Sequence, residues 1–329
     1  MRSGAGGWIL GGFFALCAAA TFAMNNAIAR RGVLSGSVIQ AMAVSVPFGV
    51  PLFLIAAWIS GGLNLIPTFS LPALGFMASA GVVHFVGGRY CNYRAVKVIG
   101  ANLAGPVIEG STIVALTLAV LLLGEQLTVL KIIGVALILG GPALTVERKP
   151  KHRPDLAFTP SYFEGYLFSV FAAFAYGTSP ILVSFAISKA GLPASIAAGL
   201  ISYIAATIAI ILVIAVSGQF KHVRDMSRET AKWFCWAGFF VGVSQMFRYM
   251  ALALAPVSVV SPIQRLSLIF RFFIGYIMNR QYEIFSSRIL AATIVSLLGA
   301  IFLSLSVDAV QEIIPLPPAL EPWLNWQWP

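Results

Sequence analysis

The sequence predicts an all-α integral membrane protein of ten transmembrane helices, built from two inverted five-helix repeats. Three observations predict it. The 329-residue chain is 59% hydrophobic and only 10% charged, whereas soluble domains carry about 25% charged residues. Ten apolar runs approach or exceed the ~20 residues that cross a hydrocarbon core. The chain also resembles itself when slid by 156 residues.

In order, the runs are 7–29, 37–60, 71–89, 99–123 and 127–146, then 163–187, 194–217, 231–253, 257–279 and 285–307. The first contains LCAAATFA, which imitates a secretory signal with a small-residue cleavage site. It is long enough to span and has a counterpart later in the chain, so it reads as helix one. Leu16 stands where a lipoprotein signal requires a small residue before Cys17. The longest connections, near 147–162 and 218–230, leave no room for a globular catalytic domain.

The net charge of +10 is explained by topology. The loops after helices one, three, five, seven and nine carry fifteen cations: Arg30, Arg31, Arg89, Arg94, Lys97, Arg148, Lys149, Lys151, Arg153, Lys221, Arg224, Arg228, Lys232, Arg280 and Arg288. The termini and the other loops hold only Arg2, Lys131 and Lys189. Positive loops stay cytoplasmic, which places a multi-pass chain in the cell (inner) membrane with both termini on the non-cytoplasmic side. No nucleic-acid partner is implied. Arg89, Arg94 and Lys97 read as cytoplasmic anchors whose heads snorkel to the interface.

The repeat is visible residue by residue. NYRAVKVIGANLAGP at 92–106 falls on RYMALALAPVSVVSP at 248–262, pairing Tyr93 with Tyr249, Ala95 with Ala251 and Pro106 with Pro262. With a two-residue slip, GEQLTVLKIIGVALILGG at 124–141 falls on 281–299, pairing Glu125 with Glu283, Thr128 with Ser286 and Gly141 with Gly299. FAMNN at 22–26 corresponds to YGTSP at 176–180. The divisions are a first five-helix repeat at 1–146, a linker at 147–162, a second repeat at 163–307 and a Pro/Trp-rich tail at 308–329. Because five is odd, the second repeat enters the membrane upside down. Such inverted repeats are characteristic of secondary transporters, with sites near the midplane.

The pattern Gly124-Glu125, a hydroxyl at Thr128, then Gly134 and Gly141 resembles the drug/metabolite transporter superfamily, EamA-like family, across essentially the whole duplicated chain. The resemblance implies a ten-helix basket moving small metabolites, commonly outward and often with a proton or ion gradient. It implies no cofactor. The second copy departs in having Tyr282 before Glu283, and the charge bias places the termini outside, where many relatives keep theirs inside.

Glu109 lies in the middle of an apolar run, where a charge is unfavourable by about 2.5–3.5 kcal/mol. The 156-residue offset carries it onto Arg265. Each stands about nine residues into its helix, ~14 Å deep at 1.5 Å per residue, and the inverted halves bring both to one depth. The expected substrate-binding set is Glu109, Arg265, Asn102, Ser258, Asn25, Asn26, Thr178 and Ser179, with Pro106 and Pro262 as hinges. Asn102 and Ser258 each precede their charge by seven residues, on the same helix face. Interior prolines free a carbonyl and bend the axis, which is tolerated beside a cavity. The competing reading is a structural bridge that only locks helices four and nine. Arg248 and Arg271 add cations within the runs. Arg271 follows Arg265 by six positions, about 240° around an ideal helix, so the two are expected to face different ways.

Glu125 and Glu283, at helix joints, read mainly as caps, and Gly134, Gly140 and Gly141 as close-contact positions. His84 could relay protons, although a packed histidine is the plainer reading. Cys17, Cys91 and Cys235 have no metal-ligand spacing, and no metal is implied. Trp323, Trp326 and Trp328 of the tail suit a membrane interface.

The expectation is a secondary transporter and exporter of a small polar metabolite, an amino acid or organic acid, working by alternating access around a midplane site. The alternative is a lipid or lipid-phosphate flippase on the same scaffold. No Walker loop, HExxH or GxSxG appears, so neither direct ATP drive nor an enzyme is expected. A monomer suffices, and a dimer stays open.

Overall fold

The computed structural model describes residues 5–123, 127–144, 159–187, 191–254, 260, 263–304 and 327–328. Helix α1 (Ala5–Ser35) is followed by α2 (Val38–Ser45) and α3 (Gly49–Ile59). A capping box starts α2: Ser37 Oγ accepts from Gln40 N, and Gln40 Oε1 accepts from Ser37 N. A turn at 46–48 separates α2 from α3; it contains Pro47, which has no N–H for the helix ladder.

The third run is longer than expected. Helix α4 (Leu71–Gly81) passes through a π-helical stretch at Val82–Gly88 directly into α5 (Arg89–Ile99), giving 29 continuous residues. Hydropathy ends this run near 89 because α5 is polar on one side. Its buried side repeats at helical spacing: Asn92, Tyr93, Ala95, Val96 and Ile99.

The fourth run breaks into α6 (Ala101–Ile108) and α7 (Ser111–Leu123). Then come α8 (Val129–Ala143), α9 (Tyr162–Ile187), α10 (Gly191–Val216), α11 (Phe220–Arg224), α12 (Arg228–Leu254), α13 (Ser267–Asn279) and α14 (Ser287–Ser304). Leu127–Thr128 pairs antiparallel with Gln327–Trp328, so part of the C-terminal tail returns to the start of α8.

By length and composition six helices can cross a membrane: Leu10–Ser35, Val38–Ile59, Leu71–Ile99, Ala101–Leu122, Tyr162–Val183 and Gly191–Val216. Val129–Gly141 and Ser287–Phe302 are shorter and apolar. The distribution of polarity is that of a lipid-embedded protein. Ile59, Leu71, Val216 and Ile277 lie outside, each more than three-quarters exposed, while Asn25, Asn26, Arg30, Arg89, Glu109, Arg271 and Glu283 are buried inside. Such an apolar exterior would aggregate in water and is natural against acyl chains. The chain is a multi-pass membrane protein.

Helix α1 packs on α12 and α13, while α9 packs on Leu71–Ile99 and on α7. Helix α10 packs on α3 and α4, and α12 on α2 and α3. Helices α8 and α14 lie together, with Gly141 against Ser296 and Ala292 and Gly299 against Gly134 and Ile138, while Gly140 faces open space.

The connections sort into two groups. Ser37 Oγ bonds His222 Nε2 at 2.8 Å, Gln40 Nε2 donates to His222 O at 2.7 Å, and Ser161 N donates to Val98 O at 3.1 Å. Arg30 reaches both Lys97 O and Tyr282 O. The connections after α1, α5, α8, α10 and α13 therefore share one end of the bundle. At the other end Gly62 lies against Pro193 O, at 2.6 Å from the position a Cβ would take.

Candidate functional site

Pro106 lies inside α6 and supplies no N–H to the Asn102 carbonyl. The helix ends at Ile108, Glu109–Gly110 form a turn, and Gly110 N tightens it by donating to Val107 O at 3.0 Å. Glu109 is therefore displayed at a helix break. Arg265 stands just before another break, the turn at Leu266 that precedes α13.

The two meet: Arg265 Nη1 donates to Glu109 Oε2 at 2.9 Å. The Arg265 side chain remains 29% accessible and the Glu109 side chain 8%. Among the described residues Arg265 Nε is buried without a hydrogen-bond partner, as are Gln264 Nε2 and Thr112 Oγ1. The guanidinium thus has hydrogen-bonding capacity that the carboxylate leaves unused.

The turn at Leu266 interrupts the helix between Arg265 and Arg271, and the two arginines meet different partners: Arg265 bonds Glu109. Arg271 is buried, donates from Nη1 to Ala101 O at 3.5 Å and stands over the Phe22 ring at 5.9 Å.

Of the remaining expected residues, Asn102 is buried; its backbone N donates to Glu283 Oε2 at 3.1 Å and its side chain to Ile284 O at 3.4 Å. Asn25 and Asn26 are buried on α1 with unpartnered Oδ1 atoms, and Asn26 Nδ2 donates to Phe22 O at 2.9 Å. Ser179 Oγ bonds His84 Nδ1 at 2.7 Å. Thr178 Oγ1 donates to Phe174 O in its own helix at 2.8 Å, and no hydrogen bond among the described residues joins it to the ion pair. Ser258, Pro262 and Glu125 lie outside the described residues.

A second buried constellation joins Glu283, read from the sequence as a cap at a helix joint, to Arg30, a pairing the sequence did not suggest. Arg30 and Glu283 form a buried pair at 3.6 Å, with side chains 0% and 1% accessible. Glu283 caps α6 by accepting from Ala101 N at 2.8 Å and from Asn102 N, a cap supplied from a distant part of the chain. Gly100, at φ 85° and ψ 160°, gives the carboxylate room; a Cβ there would collide with Glu283 Oε2. Arg30 also donates to Lys97 O at 2.6 Å and to Tyr282 O at 2.6 and 2.9 Å, with a further bond to Val96 O. Burial pushes the Glu283 carboxyl above its ordinary value, while Arg30 and the two peptide N–H groups pull it back. A partner 253 residues away, off the repeat offset, left no sequence signal.

Arg89 also departs from expectation. It is 3% exposed and no anchor at an interface. It donates to Ser45 O at 3.1 Å and Tyr203 Oη at 3.3 Å, and stands over the Phe85 ring at 5.1 Å. Among the described residues no group of three or more His, Cys, Asp or Glu could hold a metal ion.

Helices broken at bilayer depth, with opposite charges at the breaks, characterise membrane proteins that conduct solutes. Residues 9–146 match the EamA-like transporter family, so this part of the chain is similar to that family of membrane transporters. No curated protein matches the sequence. A solved crystal structure of another protein is similar over 92% of this chain and 96% of that one, with a TM-score of 0.56 at 15% identity; at that identity the likeness concerns the fold alone.

Proposed function

We propose that the protein is a secondary transporter that exports a small polar metabolite, of amino-acid or organic-acid type, by alternating access around the Glu109–Arg265 pair at the interface of two inverted repeats. The observation that carries this reading is the pair itself. Residues 156 apart, matched by the internal repeat, meet at two helix breaks with the arginine partly accessible.

The packing supports the division at 1–146 and 163–307 and the inversion. Exchanging the halves converts α1 on α12 into α9 on Leu71–Ile99, α1 on α13 into α9 on α7, and α2–α3 on α12 into α10 on α4. The contacts α3–α10 and α8–α14 map onto themselves, with Gly141 and Gly299 as partners. The gathering of alternate connections at one end of the bundle supports ten crossings, because each helix must then traverse the full thickness. The cationic end faces the cytoplasm of the inner-membrane protein. In the empty carrier Glu109 holds Arg265; cargo or a proton competes for the pair, and its release lets the halves rock.

Metabolite profiling of cells and medium, with membrane expression matched, tests this. Wild type is expected to displace a solute that Glu109→Gln and Arg265→Gln do not, although both variants insert. Unchanged export by the variants would sink the proposed site. Misfolding of both, repaired by exchanging the two charges, would make the pair a structural lock.

A further inference from the structure

We infer that the transport cycle is driven by a proton held at His84, and that the Ser179 hydroxyl converts its arrival into a change in α9. This rests on the transporter reading above and names its driving ion.

His84 lies in the π-helical stretch Val82–Gly88, a form that disturbs the regular helical ladder and occurs mostly at functional sites. There the imidazole meets α9. Its Nδ1 bonds Ser179 Oγ at 2.7 Å, and its ring centroid lies 4.6 Å from that of Tyr176. Gly88, one turn on, leaves room for the Tyr176 ring; a Cβ there would stand 2.6 Å from Tyr176 Cε1. His84 stays partly accessible, and among the described residues its Nε2 makes no hydrogen bond.

The titratable and charged groups around the ring are Tyr176 on α9, Tyr203 on α10, Arg89 at the start of α5 and Arg248 on α12; α4 has none. None of them is a carboxylate. An imidazolium at His84 has the face of Tyr176 and Ser179 Oγ for partners and no counter-ion among the described residues. It is therefore a state to be loaded and emptied, not a standing charge.

Ser179 reads that state. In a neutral ring with its hydrogen on Nε2, the hydroxyl donates to Nδ1. Protonation places hydrogen on Nδ1 as well; that N–H then donates to Oγ, and the hydroxyl hydrogen must turn away. An acceptor stands one turn back. Pro180 lies inside α9 and supplies no N–H to the Tyr176 carbonyl, three residues before Ser179. Helix hydroxyls reach such carbonyls: Thr21 on α1 donates to the carbonyls of Cys17 at 2.6 Å and Ala18 at 3.2 Å. Closing this bond would tighten α9 at its proline.

The same part of α9 touches the break that displays Glu109. A Cβ at Gly177 would stand 2.5 Å from Ser111 O, and one at Gly110 would stand 3.9 Å from Ala173 Cβ. The segment 173–179 therefore bridges His84 and the Glu109–Gly110 turn. A change in its bend moves that turn, so proton and cargo are linked through backbone contact without sharing a site.

The chain has three histidines, so His152→Gln with His222→Gln leaves His84 alone for nitrogen NMR of the isotope-labelled ring in purified protein. As the pH falls from about 8 to about 5, Nδ1 is expected to pass from a hydrogen-bond acceptor to an N–H. In the export assay, wild type should drive a solute outward past equal levels and lose that excess with a protonophore. His84→Gln, which keeps a hydrogen bond to Ser179 but takes up no proton, should only equilibrate the solute. Ser179→Ala, whose ring still titrates, should do the same. A ring that carries hydrogen on Nδ1 at high pH, or takes up none by about pH 5, would overturn the inference. So would uphill export that survives the protonophore or His84→Gln. If wild type moves no solute, the transporter reading and the coupling fall together, and the ring titration still decides whether His84 binds a proton.

Discussion

Glu283→Gln isolates the buried constellation at the start of α6. The substitution keeps the size of the side chain and one acceptor oxygen, so one of the two peptide N–H groups, from Ala101 or Asn102, retains its partner. The other shares a bond with a neutral amide or loses it, and the Gln amide turns an N–H₂ towards Arg30. The wild-type pair is closed to solvent at 0% and 1% accessibility, so water does not compensate. Breaking such a pair costs about 3–5 kcal/mol. The lower end applies here, about 3 kcal/mol, because Arg30 keeps its bonds to the carbonyls of Val96, Lys97 and Tyr282. At about 2–4 °C per kcal/mol for a chain of this class, the apparent unfolding midpoint of detergent-solubilised protein should fall by roughly 6–12 °C. Glu109→Gln, whose partner is 29% accessible, should fall by much less in the same assay. A Glu283→Gln midpoint within about 2 °C of wild type would refute the claim that this carboxylate carries the joint.

Gly100→Ala combines a backbone region reserved for glycine, at φ 85° and ψ 160°, with a collision against Glu283 Oε2; a loss of about 1–3 kcal/mol should appear in the same thermal assay. Arg89→Met replaces a buried cation that has no carboxylate partner among the described residues with an apolar chain of similar length. Its midpoint should stay within about 2 °C of wild type or rise, and a large drop would show that the bonds to Ser45 and Tyr203 outweigh the desolvation of the guanidinium.

Sequence reading succeeds where a periodicity carries the information. Six of the apolar runs coincide with helices long and apolar enough to cross a membrane, because backbone groups in lipid must bond internally. The Glu109–Arg265 contact was legible because a repeat offset converts a distance in sequence into a position in space. The helical break beside each charge was half legible: Pro106 announces the end of α6, whereas nothing in QRLSL announces the turn at Leu266 that follows Arg265. Arg89 was misplaced because hydropathy averages around a helix, so the polar side of α5 outweighed its buried side. Arg30 resembled a loop cation beside Arg31. Its depth follows from α1 continuing to Ser35 and from a carboxylate 253 positions later, which no local pattern encodes.

The two ion pairs share one short element and differ in a way that bears on the proposed cycle. Helix α6 has eight residues. At its start Glu283 accepts two peptide N–H bonds and pairs with Arg30; at its end Glu109 pairs with Arg265. Arg271 donates to the first carbonyl of the same helix. Residues between 265 and 283 therefore grip α6 at both ends. Solvent access separates the grips: the first is closed, so its charges have no water to replace a lost partner, while Arg265 is open enough for a competing anion. Exchange at the Glu109 end with the Glu283 end fixed would turn α6 about its start, with the Glu109–Gly110 turn as the natural flexing point. In the proposed cycle this assigns Glu283 to anchoring and Glu109 to release. Glu283→Gln should then reduce thermal stability and export together, whereas Glu109→Gln should abolish export with stability nearly intact. Equal effects of both substitutions on both readouts would remove the distinction.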